Sequence, residues 1–552
     1  MSPRRFTIKS HWLIALLTGY FTLIFNWPFF AKVYFYIFTL DEIHTLFSLS
    51  IPLLVYAFLF PVVSLLVVKG MTRLLVIPVM IVSAMVSYAS LNYGAMLDSG
   101  MIENVLETNT AESFSYLNSS AVLYILITGV LPALLLLTFT VRFQTFWREL
   151  LVRIGLVCCA VLVFAGIALA FYQDYASVGR NNQQVQKYLI PSEWLYSSVS
   201  YAIDKYLVKP QPFKVLGEDA RHLAVSDKPT LMVVVVGETA RAMNLEYNGY
   251  ERPTNPFTRP LGMVSLGAVE SCGTATAVSV PCMFSLLNRK NYDRQSALNQ
   301  DNVLDIIHRS GYQVTWIDND GGCKGVCERV AKIKTDPGGN PDYCNGDTCY
   351  DEVVLNYLGQ VLDEEVADRV VVLHLIGSHG PTYFQRYPKG QDYFKPDCDR
   401  SDIQNCSREA LINTYDNTIR YTDFVLARLV GMLEEEASAY QVAMLYISDH
   451  GESLGENGIY LHGLPYRLAP GEQNNVPELM WLSSQYSQSH QITGDCLKNA
   501  AGEKRLSHDN FSHTLLGMLD ISTSVYQPPM DASIACHNLA ERMWFQDEAR
   551  HG

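Results

Sequence analysis

Five apolar stretches in the first 173 residues constrain this chain more than anything else in it. They lie near 11–31, 46–68, 73–93, 121–141 and 154–173, and each is long enough for the roughly 20 residues an α-helix needs to cross a bilayer. A spanning segment must satisfy its own backbone, so the stretches predict a five-helix transmembrane bundle over residues 1–173. The first is read as an anchor rather than a cleaved leader. Asn26-Trp27-Pro28 is no small-residue cleavage site, and further spans follow.

Loop charges orient the bundle. Arg4, Arg5 and Lys9 precede the first span, Lys69 and Arg73 flank the turn between the second and third, and Arg142, Arg148 and Arg153 separate the fourth from the fifth. The remaining loops carry Asp41, Glu42, Asp98, Glu103, Glu107 and Glu112. The positive-inside rule places the N-terminus in the cytoplasm, and an odd number of spans then exports everything after residue 174. In a two-membrane bacterium that compartment is the periplasm, so the chain is expected in the inner membrane. Residues 174–215, with Trp194-Leu195-Tyr196 and Tyr201-Ala202-Ile203, read as amphipathic helix lying in the interface. In the loop after the third span, Asn104, Thr108 and Glu112 recur every four residues on one helical face. That stripe suits a lipid headgroup bearing an ammonium; a solvated loop helix is the alternative.

Cysteine usage agrees with export. Cys158 and Cys159 fall inside the fifth span, where packing within the bundle is expected. The other ten include close pairs that suggest disulfides: Cys272–Cys282, Cys323–Cys327, Cys344–Cys349, Cys398–Cys406 and, by elimination, Cys496–Cys536. Zinc ligation by Cys323/Cys327 and Cys344/Cys349 is the competing reading, which an oxidising compartment disfavours.

Residues 216–552 alternate strand-like and helix-like segments, the pattern of a doubly wound α/β domain. Leu231-Met232-Val233-Val234-Val235-Val236 has no polar alternation and predicts a strand buried on both faces of a parallel sheet. Glu238 follows it as Asp449-His450 follows Ala443–Ile447, and ligands of such sheets collect at the carboxyl ends of strands. Two carboxylates and an imidazole suit zinc or manganese, and a threonine oxygen could complete the set. Ser271-Cys272-Gly273-Thr274-Ala275-Thr276 precedes an apolar run and predicts a helix start facing an anion, with one of its threonines a candidate nucleophile. His379 and His462, in Gly- and Pro-rich loops, are candidates for a second metal, a leaving-group proton or phosphate oxygens. Lys324 in a tight cysteine-closed loop suits a phosphate contact, and His508 is the weakest candidate.

Gly237-Glu238-Thr239-Ala240-Arg241, Cys272 to Cys282, Asp318 to Gly325, Ser378-His379-Gly380-Pro381-Thr382-Tyr383 and Ser448 to Glu456 together resemble the signature segments of bacterial phosphoethanolamine transferases. The likeness is to the lipid A type, which includes the transferable colistin-resistance enzymes, and it extends to the five-span anchor. It implies an alkaline-phosphatase/sulfatase-like periplasmic domain whose Glu238, Thr276, Asp449 and His450 hold one zinc ion, with Thr276 the nucleophile. It gives His379 and His462 a second zinc or the substrate phosphate, with Asn319 and Lys324 nearby. It also gives Asn104, Thr108 and Glu112 a headgroup role. Thr274 is the nearest rival nucleophile, and the motif register favours Thr276.

The implied reaction takes phosphoethanolamine from phosphatidylethanolamine to a lipid A phosphate through a covalent threonine intermediate. A lipopolysaccharide core sugar, a glucan or a protein is an alternative acceptor, and a non-catalytic lipid-binding protein is the rival of another class. A sulfatase is disfavoured, because neither Cys272 nor Cys282 stands in a C/S-x-P-x-R setting. The formal charge of −14 argues against nucleic acid. A monomer is expected.

Overall fold

The computed structural model describes residues 6–38, 45–107, 117–172, 174–175, 183–207, 212–223, 228–503 and 505–536. The chain forms two compact units, Met1–Ile102 with Leu117–Val208 and Glu103–Tyr116 with Lys209–Gly552.

In the first unit α1 (Ser10–Tyr20) runs through a π-helical turn, Phe21–Phe25, and is followed by α2 (Trp27–Phe38). The path bends by 54° between Ser10–Phe25 and Trp27–Phe35. A break in a membrane frees backbone groups that water cannot reach. Buried Asn26 meets that need: its Nδ2 donates to the carbonyls of Phe21 (2.9 Å) and Ile190 (2.6 Å), and its Oδ1 accepts the Ile190 N–H at 2.9 Å. Pro28, which has no N–H, follows two positions later. Uninterrupted spans come next: α3 (Thr45–Leu66), α4 (Thr72–Tyr93), α5 (Ser119–Thr138, with a π-helical turn) and α6 (Phe146–Ala170). Among the described residues four helices thus pass as single spans, and the bent pair, taken as one span, makes five.

Arg153 closes the end of α3, donating to the carbonyls of Ser64 and Val67 while pairing with Glu149 at 2.9 Å. A cation there meets the negative end of the helix dipole. The expectation that Cys158 and Cys159 pack inside the bundle is corrected. Both are exposed, on a helix with no fully buried residue. The helix packs along α3 on one side, and an apolar surface that meets no protein, such as the one bearing these thiols, suits lipid. The amphipathic helix α7 (Ser192–Tyr206) exposes Tyr196, Val199, Ile203 and Tyr206.

The second unit is built on a seven-stranded sheet. In chain order the strands are β1 (Thr230–Gly237), β2 (Val264–Glu270), β3 (Gln313–Asp318), β4 (Ala331–Lys334), β5 (Arg369–His374), β6 (Gln441–Ser448) and β7 (Asn475–Leu482). Their spatial order is β2-β7-β6-β1-β5-β3-β4, with β7 antiparallel to both neighbours and the rest parallel. Central β1 is buried throughout, with Leu231 to Val236 at most 1% exposed, as its unbroken apolar run predicts. Each such side chain contributes about 1.5–3 kcal/mol relative to exposure. The register aligns Val236 with His374, Gly237 with Ser448 and Asp318 with His374, so four neighbouring strands end at one edge. Two further helices matter to that edge, α8 (Thr276–Met283) and α9 (Arg408–Glu436). Disulfides join Cys272–Cys282, Cys323–Cys327, Cys344–Cys349, Cys398–Cys406 and Cys496–Cys536. Those cysteines are therefore not zinc ligands.

Candidate active site

β1 delivers Glu238 to the sheet edge at a point with no spare room. A Cβ on Gly237 would lie 2.5 Å from the Tyr446 hydroxyl, and one on Gly377 would lie 2.6 Å from the Glu238 carbonyl oxygen. Gly377 also has φ +48, a left-handed backbone that glycine tolerates. Thr239, which is β-branched, is held at φ 62, a conformation that costs about 1–3 kcal/mol. It is fastened there by the Tyr415 hydroxyl of α9 donating to its carbonyl (2.8 Å) and by its own N–H donating to Asp449 Oδ1 (3.2 Å). The strained turn lets the Thr239 hydroxyl donate to Glu238 Oε1 at 2.6 Å.

Thr276 stands at the first turn of α8, nearly buried. Its hydroxyl donates to Glu238 Oε2 at 3.0 Å and lies 3.4 Å from His450 Nε2. Thr274 is engaged elsewhere: its hydroxyl donates to the Leu464 carbonyl at 2.5 Å and its carbonyl accepts the Gly463 N–H at 2.7 Å. It fastens the loop that carries His462.

His450 Nδ1 donates to the Gly451 carbonyl (2.9 Å), turning Nε2 toward Glu238 Oε1 (3.2 Å) and Asp449 Oδ2 (3.4 Å). Burial alone would raise the pKa of Glu238, but the charge and hydrogen bond of His450, with the charges of His379 and His462, hold it well below the usual carboxylate range. Asp449 is pushed well up by burial and by the charge of Glu238. His450 rises to about 10: burial opposes the charged ring, and Asp449 and Glu238 outweigh it.

His462 joins this group. One ligand atom each from Glu238, His450 and His462 lies within 4.8 Å of the others. Its Nδ1 is 3.4 Å from Glu452 Oε1, and Glu452 Oε2 accepts from Tyr383 at 3.0 Å. The His379 ring is 5.6 Å from that of His462. Among the described residues, Asp449 Oδ2, Glu452 Oε1, His462 Nδ1 and His374 Nε2 are buried with no hydrogen-bond partner. Orphaned donors and acceptors of this kind are expensive unless something else engages them. Two buried carboxylates beside imidazoles form the donor set of a zinc-class cation, so the residues fit the metal that the sequence implies.

Other candidates are placed differently. Asn319 departs from the expected phosphate contact: its Nδ2 donates to the Cys349 carbonyl and to Asp351 Oδ1, and its Oδ1 accepts from Thr335. Asp351 in turn accepts the N–H groups of Ile376 and Gly377, so Asn319 braces the loop before His379. Lys324 Nζ donates to the Gly321 carbonyl, and burial and the charge of Glu238 raise the pKa of Asp320, with the charges of His374 and Lys324 offsetting part of that rise. His508 is structural, accepting from Cys272 N–H and donating to the Ser448 carbonyl, with its pKa pushed down to about 3 by burial. Asn104 lies on the helix Ser99–Glu107 and is partly buried, whereas Thr108 and Glu112 lie outside the described residues. Sequence reasoning missed Asp320, His374 and Glu452. His374 ends strand β5, the same signal that pointed to Glu238 and Asp449.

The Sulfatase family model matches residues 230–521, and the Phosphoethanolamine transferase EptA/EptB model matches residues 55–206. Phosphoethanolamine transferase EptA of Escherichia coli (strain K12) is 40% identical over 96% of this chain and 97% of its own. The chain belongs to the phosphoethanolamine transferase family. A second relative, phosphatidylethanolamine transferase Mcr-1 of Escherichia coli, is 37% identical over 80% of this chain and 82% of its own. The structure of the integral membrane lipooligosaccharide phosphoethanolamine transferase A of Neisseria meningitidis superposes with a TM-score of 0.93 at 38% identity, covering 96% of this chain and 99% of that one. This phosphoethanolamine transferase is accordingly an integral membrane enzyme, with an N-terminal apolar helical region and a soluble periplasmic domain of the alkaline-phosphatase/sulfatase type.

Proposed function

We propose that this transferase moves phosphoethanolamine from phosphatidylethanolamine to a phosphate of lipid A through a phosphoethanolamine ester of Thr276. The observation that carries the reading is the Thr276 hydroxyl, 3.0 Å from Glu238 Oε2 at the start of α8. Thr276 Oγ attacks the donor phosphorus, the bond from phosphorus to the diacylglycerol oxygen breaks, and Glu238 Oε2 is the acceptor in place for the hydroxyl proton. His462 or His379 supplies the proton that the departing diacylglycerol oxygen takes up. An oxygen of the lipid A phosphate then attacks the same phosphorus, and Thr276 regains its proton as the threonine ester breaks. The amides of Thr276 and Ala277 at the first turn of α8 and the ammonium of Lys324 suit the phosphoryl oxygens.

Zinc held by Glu238, Thr276, Asp449 and His450 would lower the hydroxyl pKa and offset charge on phosphorus-bound oxygens. Asn104, Thr108 and Glu112 would take the donor's ammonium headgroup. The exposed apolar residues of α7 would rest in the membrane interface, leaving 1–173 as the anchor, 174–215 as the linker and 216–552 as the catalytic domain of a monomer. The relative named for lipooligosaccharide supports a glycolipid acceptor. Adding an ammonium there would offset surface negative charge and weaken polymyxin binding.

Mass spectrometry of lipid A from a polymyxin-sensitive host tests this directly. The parent should add phosphoethanolamine and Thr276→Ala should not. Modification by the alanine variant would overturn the threonine ester, and unmodified lipid A from a well-expressed parent would redirect the search to core sugar, glucan or protein.

A further inference from the structure

Beside the Thr276 cluster lies a second convergence of ligand atoms, formed by Glu238 with two residues that the transfer reaction does not use. One atom each from Glu238, Asp320 and His374 lies within 4.8 Å of the others. His374 is fully buried, and its Nδ1 is 2.8 Å from Asp318 Oδ1. Asp318 is itself fixed, its Oδ2 accepting the Gly322 N–H at 3.0 Å. A carboxylate can only accept from Nδ1, so that nitrogen carries the hydrogen and Nε2 is the atom turned toward Asp320, with a lone pair to offer a cation whenever the ring is neutral.

Nε2 has no hydrogen-bond partner among the described residues, and Asp320 Oδ2 is 3.8 Å away. That separation is too long for a hydrogen bond, which spans about 2.7–3.2 Å. It is close to the span of two ligands across one ion, since bonds of about 2.0–2.2 Å at tetrahedral angles place ligand atoms about 3.4 Å apart. A proton on Nε2 would be a buried donor with nothing to receive it, whereas a cation would engage the imidazole and both carboxylates at once.

We propose that Glu238, Asp320 and His374 hold a further divalent cation of the zinc or manganese class, with Asp318 orienting the imidazole. The site differs from the place where the family resemblance puts a second zinc, at His379 and His462. Glu238 would be shared between two ions, a bridging role that rests on the first-site reading above; the Asp320 and His374 ligands do not depend on it.

The test uses the full-length protein in detergent micelles, stripped by chelator, dialysed against Zn2+ alone and counted by elemental mass spectrometry. His374→Gln and Asp320→Asn should each lose a single zinc equivalent relative to the parent, and the double variant no more than either. His450→Gln should lose a different equivalent, additively with His374→Gln, and His379→Gln should retain the one at issue. Full zinc content in both His374→Gln and Asp320→Asn overturns the proposal and leaves His374 as a protonated ring. Full content in His450→Gln alone would overturn the first-site reading instead. Anomalous diffraction at the zinc edge on the unaltered protein decides the matter without a variant: a peak at His374 Nε2 supports the site, and peaks only at His450 or His462 overturn it.

Discussion

The sheet edge holds two half-sites, one wholly buried and the other buried but for a partly exposed Asp320, and they are differently equipped. Around β6 stand Asp449, His450 and His462, together with a hydroxyl, that of Thr276; around β5 stand Asp318, Asp320 and His374, and among the described residues none of these three hydrogen-bonds a hydroxyl. Each half fixes one imidazole by its Nδ1, through the Gly451 carbonyl in the first and the Asp318 carboxylate in the second. Glu238 belongs to both. On the proposed function, bond-making falls to the β6 side, where Thr276 offers an oxygen nucleophile to phosphorus, and charge-holding to the β5 side.

The largest effect should come from removing that oxygen. Thr276→Ala is expected to lower transfer by about 1,000-fold or more and to abolish the covalent adduct seen by intact-protein mass spectrometry. An adduct persisting on the alanine variant would mean that the β6 side does not hold the nucleophile. Gly377→Ala comes next and should damage both halves together, since its Cβ would sit 2.6 Å from the Glu238 carbonyl oxygen on a backbone with φ +48. Displacing Glu238 by even part of an ångström is expected to cost about 100-fold in transfer rate, with zinc lost from both sides. Unchanged kinetics and zinc content would show that the shared carboxylate does not need this close fit. Asp318→Asn should act on one half only, weakening zinc on the β5 side by about 10-fold while leaving the Thr276 adduct. Zinc titration of the variant reads this directly, and an unaltered affinity would erase the distinction between the halves.

Much of this edge was legible before the fold was known, for a reason that also explains the gaps. A buried parallel strand announces itself by composition, and ligands gather where such strands stop, so Glu238, Asp449 and His450 could be found from one rule. The rule applied to Arg369–His374 would have found His374 as well. Asp318-Asn319-Asp320 shows where it fails. Which of three consecutive polar residues faces the site depends on distant partners, here Cys349 and Asp351 drawing Asn319 aside. The choice between Thr274 and Thr276 likewise rests on Leu464, 190 positions away in sequence. In the membrane unit, apolarity located the spans but could not tell lipid from protein, so Cys158 and Cys159 were placed inside a bundle they do not enter. Nor does an 11–31 apolar stretch reveal the bend that Asn26 makes tolerable.

The smallest expected effect isolates burial from partnership. Glu478 on β7 is as buried as Glu238 but has no imidazole beside it, and burial alone pushes its pKa up to about 8. A carboxyl group raised in the folded state binds its proton more tightly there than in the unfolded chain. Its stabilising contribution is therefore complete below the ordinary glutamate value of 4.5 and is lost as pH rises toward 8. Glu478→Gln should remove that dependence. The variant should melt close to the parent at pH 4.5 and several degrees above it at pH 8.5, a gain of at most about 4 kcal/mol, with transfer activity and zinc content unaltered. Parent and variant melting in parallel across that range would mean that burial does not raise a carboxylate in this domain. The low pKa of Glu238 would then need no contribution from His450 to overcome burial, and the contrast between a partnered and a solitary buried acid would fail.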